Sequence, residues 1–189
     1  TYLPETVWYM NPLMILCGTL LYSITTLCVH LFFPNRPVQE SVARSFLALA
    51  NYLEAKATFF DPDDIEQIEN KHIAMAMKNS ELISAFNETR TALFYRIRGQ
   101  HRHSRTTKMI RYYFSAQDIH ERISSNHFDY QTLAEHLKNT DLIFRIQRLL
   151  ELQAQACRDI ALSLQQNKTY RYDLRLEKAI NGLNQSFEL

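Results

Sequence analysis

Glycine occurs three times and proline five times in 189 residues. So few turn formers leave little room for a hairpin-rich sheet protein, and no stretch alternates apolar and polar residues between turn signals. Three glycines also exclude a glycine-rich phosphate loop and a nucleophile elbow. Cysteine is as scarce. Cys17 and Cys28 fall within a hydrophobic run and Cys157 within a helical stretch, so the sequence shows neither a disulfide framework nor a zinc pattern. The formal net charge is +1, which gives no global pull towards nucleic acid or an anionic surface, so any electrostatic function must be local.

A further absence is confined to one segment. From Leu13 to Phe33, 21 consecutive positions lack Asp, Glu, Lys and Arg, and no Lys or Arg occurs before Arg36. As a helix this run is about 31 Å long, matching a bilayer core of about 30 Å. Trp8 and Tyr9 precede it as interfacial aromatics, and Pro12 suits the first turn of a helix. A secretory leader is a poorer reading, because the basic n-region is missing and the run ends in Phe-Phe-Pro rather than small residues. The run therefore predicts one membrane-spanning helix. The chain opens with Thr, and its single span follows after a dozen residues, so it reads as a piece of a longer protein.

The remainder predicts helices. After Asn35, a candidate cap, Val38, Val42, Phe46, Leu49, Leu53, Ala57 and Phe60 recur at spacings of three and four and define one buried face. Asp61-Pro62-Asp63-Asp64 reads as the start of the next helix, with carboxylates near its positive end. Its stripe is Ile65, Ile68, His72, Met75, Asn79, Leu82, Phe86, Thr89 and Leu93, whose polar members predict modest packing. A basic turn follows Gly99, then a helix through Met109, Ile110, Tyr113, Phe114, Gln117 and His120. A short helix through Leu133 and Leu137, capped by Asn126 or Asp129, comes next. The clearest heptad seam is Leu142, Ile146, Leu149, Gln153, Cys157, Ile160 and Leu164. A last amphipathic helix, Tyr172 to Phe187, carries Leu174, Ile180, Leu183 and Phe187, with Gly182 as a weak point. The predicted class is all-α: one transmembrane helix (span 13–33, within a membrane segment 1–35), then a cytoplasmic antiparallel helical bundle over 36–189, itself incomplete.

Two groups of residues invite a functional reading. Thr19, Ser23, Thr26 and His30 lie on one face of the predicted span. Such residues either hydrogen-bond a neighbouring helix or line a polar path, and an ionisable group within a membrane is a functional candidate by default. Helix packing is the simpler reading, since His30 stands only three residues from the end of the run. Arg96, Arg98, Arg102, Arg105, Lys108 and Arg111, with His101 and His103 among them, form a basic interaction patch. A solvated turn explains it first, anionic lipid headgroups second, and nucleic acid least, because no base-stacking motif stands beside it. Asp118, His120 and His127 are weak metal ligands without a helical His-Glu-x-x-His spacing, so no metal, cofactor or catalytic residue is expected.

Several long stretches nonetheless carry a resemblance. They are Asn35 to Glu40, Phe46 to Ala57, Phe59 to Asp64, Arg111 to Arg122, and Phe144 to Leu150 leading to Gln155-Ala156-Cys157. Together they resemble the YccS/YhfK type of the fusaric acid resistance (FUSC) family of bacterial inner membrane proteins. The resemblance implies a longer multi-pass protein with two groups of membrane helices, each followed by a cytoplasmic helical region. It implies efflux of aromatic carboxylic acids or similar toxic compounds, and no family catalytic or substrate residue maps onto this chain. The partners it implies are other transmembrane helices of the same protein and the lipid bilayer, with homo-oligomerisation open and no nucleic acid. The competing class is a membrane-tethered helical interaction or regulatory module without transport; an enzyme is a distant third.

Overall fold

A computed structural model describes residues 10–32, 36–61, 68–98, 104–125, 132, 136–137 and 140–187. Among the described residues there are six α-helices and no strand: α1 (Met10–Phe32), α2 (Arg36–Ala57), α3 (Ile68–Arg98), α4 (Ser104–Ser124), α5 (Leu142–Gln165) and α6 (Leu174–Phe187). A 3₁₀ turn, Thr58–Phe60, continues α2. Residues 1–9, 33–35 and 62–67 lie outside the description, and with them Asn35 and most of the acidic cap read at 61–64. The chain divides into two units, Thr1–Arg36 and Pro37–Leu189.

The first unit is α1. It begins at Met10, so Pro12 stands in the first turn, where its missing N–H would have had no helical partner. Met10–Cys28 is long and apolar enough to cross a membrane, and none of it is buried against protein. Leu13, Met14, Ile15, Leu16, Leu20, Leu21, Ile24 and Leu27 are all exposed. A long helix without a charged carboxylate, ammonium or guanidinium, its many large apolar side chains covered by no protein, is what a bilayer, acting as solvent, stabilises.

The second unit is built on α2. Every member of its predicted stripe is buried, from Val38 to Phe60, and Val42, Leu49 and Leu53 are wholly inaccessible. Burying each such side chain contributes about 1.5–3 kcal/mol. Burial extends beyond that stripe to Ser41, Ala43, Ser45, Ala50, Tyr52 and Lys56, so α2 is enclosed on several sides by α3, α4 and α5. Small residues permit the closest approach. Thr89 Oγ1 donates to Ser41 O at 2.8 Å and lies 2.8 Å from Ser45 Oγ, while Ser45 Oγ is 3.2 Å from Ala85 O. Thr89, read as a weak interruption of the α3 stripe, is thus fully buried with its hydroxyl satisfied.

The pairings fix helix direction. Ser41 with Thr89 and Ser45 with Ala85 set α3 antiparallel to α2. The edge-on ring pairs Phe46–Tyr112 and Tyr52–His120 run in the same order along both helices, so α4 is parallel to α2 and antiparallel to α3. Gln39 bonds the Leu164 carbonyl and Arg158 holds Glu54, which makes α5 antiparallel to α2. Phe59 and Phe60 form a second, smaller core with Ile143. At the end of α5, Asn167 takes a left-handed φ of 55°, a conformation that Asn tolerates better than most residues, and Lys168 N–H reaches back to Ser163 O at 2.8 Å.

Two expectations need correction. The buried face of α5 is Ile143, Ala154, Cys157, Ala161 and Leu164, whereas Leu142, Ile146, Leu149, Gln153 and Ile160 are only partly covered. The seam is rotated by about one residue over its first half, because α6 packs on α5 as well and its alanines face the main core. Phe114 is 61% exposed and does not belong to the buried face of α4. Gly182 lies within α6 where α5 reaches it: Arg145 Nη1 donates to its carbonyl at 3.2 Å, and an added Cβ would meet that same nitrogen at 3.2 Å.

Candidate functional sites in the span and the bundle

On α1, hydroxyl groups fold back onto their own helix. Thr19 Oγ1 donates to Leu16 O at 3.0 Å and Ser23 Oγ to Thr19 O at 2.8 Å. Thr25, which does not share the face predicted to be polar, reaches the carbonyls of Leu21 and Tyr22 at 3.0 and 2.8 Å. Such back-bonding satisfies each donor without a neighbouring helix and leaves oxygen lone pairs to accept. Thr26 is exposed on the same helix, and His30 lies in it with a side chain outside the description.

The basic residues divide between two helix ends. Arg96 lies in the last turn of α3, half-buried, and Lys108 and Arg111 are exposed on α4. Lys108 Nζ stands 5.9 Å from the centre of the Tyr112 ring, a cation–π contact. Arg98 and Arg105 lie in α3 and α4 with side chains outside the description, as is all of Arg102.

The bundle interior holds a polar cluster that the sequence patterns do not reveal. Lys56, buried in the last turn of α2, donates to the Ile123 carbonyl near the C-terminus of α4, where the helix dipole favours a cation. Burial still draws its pKa down to about 8. His120 of α4 lies between the rings of Tyr52 and Phe86, with centroids 5.5 and 5.8 Å away. Its Nε2 is 2.8 Å from Asn79 Oδ1. Burial, and secondarily the positive charge of Lys56, lower its pKa, so it is neutral near pH 7 and donates Nε2–H to Asn79. Burial also raises the Tyr52 hydroxyl and pushes the Cys157 thiol up to about 12.

This cluster lacks the donors a metal needs. Among the described residues no three His, Cys, Asp or Glu side chains come together. Asp118 is exposed and paired with Arg122 at 3.0 Å, and His127 lies outside the description. Glu54, Asp61, Arg148, Glu151, Gln155 and Arg158 line an open groove of about 450 Å³ beside α5. Arg158 is held by Glu54 and Arg148 by Glu151, so acids and bases there largely neutralise each other.

An apolar helix with no protein cover, joined to an all-helical unit with a well-packed core, defines a helical protein of the membrane. The particular family is equally clear: residues 1–189 match the family described as FUSC-like inner membrane protein yccS, and the chain belongs to it. It is 65% identical over 190 residues to an uncharacterized protein of Haemophilus influenzae, covering all of this chain and 26% of that protein. It is 40% identical over 181 residues to inner membrane protein YccS of Escherichia coli, covering 96% of this chain and 25% of the relative. The chain therefore spans about a quarter of the length of these relatives. No solved structure matches it.

Proposed function

We propose that this chain belongs to a bacterial inner-membrane efflux transporter for aromatic carboxylic acids or similar toxic compounds, with the helical unit on the cytoplasmic side. The observation that carries the reading is the match to an inner-membrane family along the whole chain. Transport itself rests on the resemblance to exporters of the wider family. The cytoplasmic assignment rests on Arg36 and Arg44 following the span while the preceding flank has no Lys or Arg. The test is to delete the gene for the full-length protein and measure intracellular accumulation of a radiolabelled aromatic acid such as benzoate. Accumulation should rise and return to normal on complementation; unchanged accumulation for a panel of aromatic acids would sink the transport reading. His30→Ala in the full-length protein should lower efflux at constant membrane abundance if the Thr19, Ser23, Thr26 face lines the path.

One observation favours the second reading, a membrane-tethered helical module without transport: Thr19 and Ser23 satisfy their hydroxyl donors within α1, so neither of them demands a polar path. That reading requires the deletion to leave accumulation untouched while partner proteins are lost from the membrane.

A further inference from the structure

The last turn of α3 gathers exposed apolar side chains that stand farther apart on the rest of that helix, at Ile73, Met77 and Ile83. Leu82, Phe86, Thr89 and Leu93 are buried, whereas Phe94, Tyr95 and Ile97 are 57%, 84% and 54% exposed. These three side chains spread over roughly 160° of the helix circumference. A flat protein surface covers less than that, but a fluid medium covers it readily. Basic residues alternate with them in Phe94-Tyr95-Arg96-Ile97-Arg98.

Topology decides which end of the bundle this is. The Ser41–Thr89 bond puts Thr89 level with the second turn of α2. From Thr89, α3 continues six residues to Tyr95, about 9 Å, towards the end where α2 begins. That tip is thus level with Arg36, which follows Phe32, the last residue of α1, by four residues. Four residues of chain reach at most about 14 Å. The Gln39–Leu164 bond brings the end of α5 to the same level, and exposed Lys168 and Arg171 follow it. Glu40 is the exposed acid in this stretch of α2. Cations therefore dominate the end of the bundle at which the chain leaves the span.

We infer that the C-terminal turn of α3 is an interfacial anchor: Phe94, Tyr95 and Ile97 enter the headgroup zone of the bilayer, and the surrounding basic residues bind anionic phospholipids. Aromatic rings with a polar tip favour that zone, and each nearby Lys or Arg adds attraction to an anionic surface. The anchor rests on α1 spanning the bilayer, and it adds a second point of membrane attachment to the helical unit.

The test uses the full-length protein, with its native cysteines replaced, reconstituted in vesicles of phosphatidylcholine with or without phosphatidylglycerol. Nitroxide labels are placed singly at Phe94→Cys, Tyr95→Cys and Ile97→Cys. Ile73→Cys, 22 residues before Tyr95 on the same helix and exposed, serves as the solvent control, and Leu21→Cys in α1 as the lipid control. The three tip labels should collide with oxygen several-fold more than with a water-soluble nickel complex, as Leu21→Cys does, while Ile73→Cys favours nickel. Adding Arg96→Glu, or omitting phosphatidylglycerol, should raise nickel access at the tip. Tip labels as accessible to nickel as Ile73→Cys overturn the anchor, and labels shielded from both reagents replace it with a protein partner. Immersion unchanged without phosphatidylglycerol overturns the role of the basic residues. Nickel access at Leu21→Cys overturns the span and the anchor together.

Discussion

α1 and α2 are consecutive helices of nearly equal length, 23 and 22 residues, yet they meet their surroundings in opposite ways. α1 is mainly apolar, with no Asp, Glu, Lys or Arg, and touches no protein with its central residues, whereas α2 mixes Ser, Ala, Arg, Glu and Lys with its apolar stripe and is enclosed. Hydrophobicity alone therefore does not mark the core of this chain. What marks it is an apolar stripe flanked by small residues, which let other helices approach; a long run without Asp, Glu, Lys or Arg marks the helix that uses lipid as its solvent.

The comparison breaks most readily under an introduced charge. Leu49→Asp places a carboxylate at a wholly inaccessible position of α2 and should cost more than about 4 kcal/mol, enough to unfold the second unit. Leu21→Arg in α1 should act on membrane insertion instead, at about 2.5–3.5 kcal/mol for a central position. Membrane abundance and protease resistance separate the two: Leu49→Asp should give inserted but protease-sensitive protein, and Leu21→Arg less inserted protein. The reverse pattern would show that the two helices have been assigned the wrong solvents.

A smaller effect tests the close approach of α2 and α3. Thr89→Val keeps the shape but removes the donor to Ser41 O and the contact with Ser45 Oγ. With polar partners left buried, the expected loss is about 1–3 kcal/mol. A thermal shift no larger than that of Thr91→Val, an exposed site, would argue that the hydroxyl contributes nothing.

Protonation offers a milder probe of the enclosed region. The pKa of His120 is lower in the fold than its ordinary value of 6.5, so the unfolded chain takes up the proton first. Stability should fall as the pH drops below about 6.5 and level off once the pH passes the depressed folded value. Lys56, lowered from 10.5 to about 8, gives the same sign in another window. Its neutral form is favoured in the fold, so stability should rise as the pH climbs from 8 towards 10.5. Thermal unfolding of the purified protein across both windows checks the slopes, and His120→Gln should flatten the acidic one alone.

The span and the α2 stripe are legible in the sequence because each repeats one signal over many residues. Ser41, Ser45 and Ala43 are not, since small or weakly polar residues are indistinguishable in sequence from a solvated face. The α5 seam misleads for a related reason. Its large residues Leu142, Ile146 and Leu149 point to one side, while Ala154 and Ala161 face the main core because an alanine lets α2 come near. The Lys56–His120 cluster is not legible in the sequence, as its members come from α2, α3 and α4: Asn79 and His120 fall on stripes of their own helices, but no spacing brings the helices' polar members together. Thr25 escapes notice in the span because it lies off the single face traced by spacings of three and four.

The smallest expected effects come from two helical glycines, which carry the comparison to its limit. At Gly182 an added Cβ meets only the far end of Arg145, a side chain on the surface that can shift while keeping Asp141. Replacing glycine within a helix gains up to about 1 kcal/mol of helix propensity, so Gly182→Ala should be neutral to slightly stabilising once that shift is subtracted. At Gly18 a Cβ meets nothing within 4 Å. If lipid alone faces it, Gly18→Ala changes no contact, and the abundance of the full-length protein in the membrane should stay as it is. Glycine in a span also permits the closest approach of a second helix, and there a methyl group is costly. Marked loss of abundance for Gly18→Ala, beside a neutral Gly182→Ala, would therefore show that α1 has a protein neighbour on that face, and the contrast with α2 would narrow to the remaining sides of the span.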